Sequence, residues 1–126
     1  MTEQLNREVC KVGYDNLINS AYRTDVFAVT IAANQGKLAR GTALAKNSEG
    51  KMVILGTKET VSDAQVLCEA NCILAKEVDA TTETTALAYR EGHFNTDCLI
   101  VKSDYKLTAA DKDAFRVHNI ILSESL

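Results

Sequence analysis

Proline and tryptophan are both missing from these 126 residues, and phenylalanine occurs only three times. Without proline no stiff linker divides the chain, and its length suits one domain. Apolar residues reach 46%, yet the large side chains are limited to three Phe and four Tyr. The core is therefore expected to be modest, which makes association a natural supplement to stability. Basic runs are absent as well: 14 Lys and Arg are interspersed with 17 Asp and Glu, for a net charge of −3. Nucleic-acid binding depends on a concentrated positive footprint that releases phosphate counterions, so direct contact with DNA or RNA is not expected. The longest apolar run, Val26 to Ala33, is interrupted by Thr30 and falls far short of the ~20 residues that cross a bilayer. Glu3, Arg7 and Glu8 break up the opening residues where a secretory signal needs an apolar stretch. The protein is expected to be made and kept in the cytosol, with no membrane partner.

Reactive groups are few. The glycines at 36, 41, 50, 56 and 92 form neither a G-x-G-x-x-G fingerprint nor a phosphate loop. Asp104, Asp111 and Asp113 lack EF-hand spacing and read as solvent-facing carboxylates. His118 falls near the end of a predicted helix, where an imidazole suits the negative end of the dipole. Cys68 and Cys72, with His93 and Cys98 downstream, define the competing reading of a small zinc- or thiol-dependent enzyme. Spacing opposes it, because structural zinc sites favour paired C-x2-C knuckles. Asp97 and His93 could in principle activate Cys98, but Cys98 opens an apolar run and fits a free, buried thiol better. The expectation is a non-enzyme without metal or cofactor.

The chain divides into a polar arm, residues 1–22, and a strand-rich domain, residues 23–126. Leu5, Val9 and Val12 make a weak helical stripe that Gly13 interrupts. Within the domain, Asp25 to Ala32 reads as a buried strand and Leu38 to Ala45 as a second apolar stretch. Asn47 to Gly50 reads as a hairpin turn returning through Met52 to Leu55, followed by a polar loop from Gly56 to about Ala64. Asn71 to Val78 and Thr84 to Arg90 are further strands, joined by a turn at Asp79 to Glu83. For Cys98 to Val101 the period leaves helix and strand open. Thr108 and Asp111 fit a capping box, ahead of a helix whose expected apolar face is Ala110, Ala114 and Val117. Asn119 closes that helix, and Ile120 to Leu122 reads as a terminal strand. The expected fold class is β-dominated α+β: a small β-barrel-like or tulip-like domain with one or two short helices and an extended N-terminal arm.

Two stretches carry a resemblance. Cys72-Ile-Leu-Ala-Lys-Glu-Val-Asp-Ala-Thr81 leads, after a short gap, into Ala86-Leu-Ala-Tyr-Arg-Glu-Gly-His-Phe-Asn95. This order resembles the phage lambda-type head decoration family. The fuller His93-Phe94-Asn95 run with the apolar triplet Leu99-Ile-Val101 is similar to members from Gram-positive phages and prophages. Tyr105-Lys-Leu-Thr-Ala-Ala-Asp111 and the closing Arg116 to Leu122 fit the same pattern. The similarity spans the chain from about Asp25 and is strongest from Cys72 to Leu122. Cys72 departs from it, standing where members commonly carry glycine.

The resemblance implies a homotrimer seated at the three-fold positions of an expanded capsid, with the phage major capsid protein as partner and no catalytic residue. The protein would then be assembled in the host cytoplasm and end on the outer surface of the virion. A coreless arm with spaced apolar anchors is able to order on a partner by strand addition. Tyr14, Leu17, Ile18 and Tyr22 are accordingly the expected capsid contacts, with packing on their own domain as the competing arrangement. Gly92, His93 and Phe94 are expected to shape a turn near the subunit interface. A peptide-binding β-barrel adaptor is a further reading.

Overall fold

The computed structural model describes residues 17–18 and 24–123. Its strands are β1 (Asp25–Ile31), β2 (Gly36–Leu38), β3 (Ala43–Lys46), β4 (Met52–Ile54), β5 (Lys58–Val61), β6 (Ala64–Leu67), β7 (Glu69–Leu74), β8 (Val78–Ala80), β9 (Thr84–Asn95) and β10 (Ile120–Ser123). One α-helix, α1 (Ala109–Val117), and one 3-10 turn (Thr96–Cys98) complete the described elements. The order β1–β4–β3–β7–β9 closes when β9 pairs back on β1, giving a five-stranded barrel. The fold is thus a small strand-dominated α+β domain.

Alternation along the strands builds two cores, because successive side chains leave opposite faces. Leu44, Met52, Cys72 and Ala88 point into the barrel with Val29, Ile31 and Leu74. Their neighbours Ala43, Ala45, Val53, Ile73 and Tyr89 face outward into a second cluster with Phe94, Phe115 and Ile120. Alanines at the outer positions let the backbone beyond β9 come close. Ala43 N–H donates to Ile100 O at 2.8 Å, and Ile100 N–H donates to Gly41 O at 3.0 Å. The Cys98–Val101 stretch therefore resolves into the end of the 3-10 turn and an extended segment lying parallel to the start of β3.

Several expectations hold. The β3–β4 hairpin turns at Asn47–Gly50 with Gly50 at φ 81°, and Asn47 Oδ1 accepts the backbone N–H groups of Glu49 and Lys51. The capping box is formed: Thr108 Oγ1 accepts Asp111 N–H at 3.1 Å and Asp111 Oδ2 accepts Thr108 N–H at 2.9 Å. His118 is the C-cap of α1. Asn119 follows in the left-handed region at φ 65°, and β10 runs parallel to the end of β9.

Others are corrected. The Asp25–Ala32 strand is only half covered, with Val26, Ala28 and Thr30 exposed along the outer wall of the barrel. Leu38 to Ala45 is two strands separated by a turn at Arg40–Gly41. The polar loop after Gly56 is a hairpin, β5–β6, whose two-residue connection places Ser62 and Asp63 both at positive φ, 51° and 67°. Such primed turns match strand twist and usually carry Asn or Gly, a signal this sequence lacks. The buried face of α1 is Asp111 and Phe115 rather than Ala110 and Val117. Val117 is 76% exposed. Asp111, expected in solvent, is 5% exposed, because the Tyr105 hydroxyl donates to its Oδ2 while it caps the helix.

Candidate functional site

The thiol and histidine set does not converge. Cys72 lies inside the barrel, fully buried, with its Sγ donating to Met52 Sδ at 3.9 Å. Burial pushes its thiol up to about 12, so at neutral pH it carries no thiolate and no nucleophile. Cys68 belongs to the other core, on the outer side of the barrel wall, and burial followed by the charge of Glu59 raises it too. Cys98, expected as a free thiol, is disulfide-bonded. His93 sits half-buried in β9, paired with Ile121 of β10. Among the described residues no group of three or more His, Cys, Asp and Glu could hold a metal ion. Nothing in this arrangement favours the enzyme reading.

The expected capsid contacts fall into two sets. Tyr14 and Tyr22 lie outside the described residues. Leu17 is 4% exposed, within the outer core, and Ile18 pairs antiparallel with Phe94. Leu17 O accepts Asn95 N–H at 2.8 Å. Both residues therefore pack on their own domain, whose contacts reach back to residue 17.

Gly92, His93 and Phe94 are not a turn, since β9 runs unbroken through them to Asn95. The physical reason is at Gly92, which takes φ 153°. A Cβ there would stand 3.0 Å from the Phe94 ring and 3.1 Å from the Thr24 methyl, so glycine lets the strand continue while the ring folds beneath it. Phe94 is fully buried and meets the Tyr89 ring at 5.1 Å with a 51° tilt. Arg40 reaches the same cluster, donating to the Tyr89 hydroxyl at 2.7 Å. The last residues of β9 are flanked on one edge by β10 and on the other by Ile18.

Among the described residues the surface offers exposed apolar side chains. The β5–β6 hairpin leaves Val61, Val66 and Leu67 exposed, and the β1–β9 wall does the same with Val26 and Leu87. Cross-strand partners Ala28 and Leu87 sit together on that wall. By register Val61 shares a hairpin face with Val66, and Val26 shares the wall with Leu87; exposed apolar side chains paired in this way suit contact with another surface. Sequence reasoning missed both groups, placing the hairpin in a polar loop and Val26 in the core. The one available cue was the alternation of Val61, Ala64 and Val66 across a short polar turn.

Comparison with curated proteins gives no match. Residues 13–120 match the family model described as the bacteriophage lambda head decoration protein D. That match spans most of the chain, takes in both cores and the capped helix, and begins ahead of the buried Leu17. This chain belongs to the bacteriophage lambda head decoration protein family.

Proposed function

We propose that this protein is a capsid decoration subunit, binding the exterior of an expanded phage head as a trimer at three-fold positions and reinforcing it against packaged DNA. The observation that carries this reading is the family match over residues 13–120. Association with a phage capsid comes with that family. The finer reading is supported by a closed barrel that presents exposed valines and leucines on its described surface. A ligand that binds only the expanded lattice stabilises that lattice by mass action. Three copies held in a closed ring would also combine weak contacts, with avidity gains on the order of a hundredfold or more.

The major capsid protein is the proposed partner and the outer virion surface the proposed location. Residues 1–22 are the proposed capsid-binding arm, with Tyr14 and Tyr22 as contacts and Leu17 and Ile18 rooting the arm on the domain. His93, half-buried beside buried Gly92 and Phe94, is the proposed interface residue of that group. The test is cosedimentation of the full chain with expanded and unexpanded capsids of its parent phage, with a variant lacking residues 1–12 alongside. That truncation keeps Leu17 and Ile18 in the core. Binding to expanded heads alone, weakened by the truncation, is the expected result. Failure of the full chain to bind either form overturns the decoration reading, whereas unchanged binding of the truncated form overturns only a role for residues 1–12. Unchanged binding of a full-length Tyr14→Ala, Tyr22→Ala double variant overturns the role of those two contacts.

A further inference from the structure

We draw no further inference here: the strongest candidate, the β5–β6 hairpin with Val61, Val66 and Leu67 exposed on it, carries nothing because nothing in the structure shows what covers it.

Discussion

Asp111 supports a quantitative test, because one buried carboxylate holds two elements. Its Oδ2 accepts the Thr108 N–H and the Tyr105 hydroxyl, and its own N–H is capped by Thr108 Oγ1. Asp111→Ala removes the reciprocal half of the capping box, worth about 1 kcal/mol. It also strands a half-buried tyrosine hydroxyl that had a charged acceptor, worth about 1.5–3 kcal/mol. The expected loss is together about 2–4 kcal/mol. For a chain of 126 residues, unfolding entropy of roughly 2.1 cal/mol/K per residue converts this into a fall in melting temperature of roughly 8–15 °C. Thermal and urea unfolding, followed by circular dichroism, should be run on Asp111→Ala, Tyr105→Phe and the double variant. Because the two side chains share one bond, the double variant should fall short of the sum by about 1–2 kcal/mol. Additivity within about 0.3 kcal/mol, or a single Asp111→Ala loss below about 0.5 kcal/mol, would refute the clasp.

Gly56→Ala is expected to cost about 2–4 kcal/mol in urea unfolding, since φ is +108° and the new Cβ would lie 2.6 Å from Tyr105 Cβ. Gly36→Ala is the control: its φ is +74° but nothing stands within 4 Å, so it should lose only about 1–2 kcal/mol. On the helix, Phe115→Ala should cost about 3–5 kcal/mol and Val117→Ser no more than about 0.5 kcal/mol, and a reversed order would show that the buried face has been misassigned. Raising the pH tests Cys72. Its folded pKa stands above the unfolded value of 9.0, at about 12, so its contribution is fully present below pH 9 and is lost as pH climbs toward the folded value. Stability should fall by about 1.4 kcal/mol per pH unit in that window, and less steeply in Cys72→Ala; identical slopes for both proteins would contradict the buried, neutral thiol. Tyr105, raised first by burial and then by its bond to Asp111, acts in the same direction above its ordinary value of 10.0, so the comparison with Cys72→Ala is what isolates the thiol.

Much of this architecture was legible in the residues, and the failures share a cause. Thr108 with Asp111, Asn47 with Gly50, and Asn119 each carry local chemistry that fixes a cap or a turn, and each lies where expected. Burial is not local. Ala110, Ala114 and Val117 form an apolar stripe by period, but Phe115 is larger and takes the core. Once it does, Ala110 and Val117 face solvent while Ala114 stays half-buried against the core, and Asp111 is drawn in to meet Tyr105. The hairpin at Ser62–Asp63 was hidden because neither residue announces positive φ. Gly92 misled in the opposite sense, its freedom used for a close ring approach inside a strand and not for a reversal. Of the candidate contacts, Leu17 and Ile18 have spacing consistent with an arm or a short strand, and the two are distinguished by non-local facts: the burial of Leu17, the bridge from Ile18 to Phe94 and the bond from Asn95 N–H to Leu17 O.

The long ninth strand has a consequence for how the molecule is made. Asp25 finds its partner at Glu91, and Ile31 finds Thr84, so the first barrel strand waits for chain synthesised more than fifty residues later. Such pairings close large loops before any contact repays them, and high contact order of this kind slows folding. Until β9 arrives, β1 has only its single register position against β4, Ile31 opposite Met52, and its valines and phenylalanine remain without a sheet. Assembly of the fold is therefore governed by the last third of the polypeptide, and a nascent chain halted before residue 84 would be a collapse-prone fragment with no barrel.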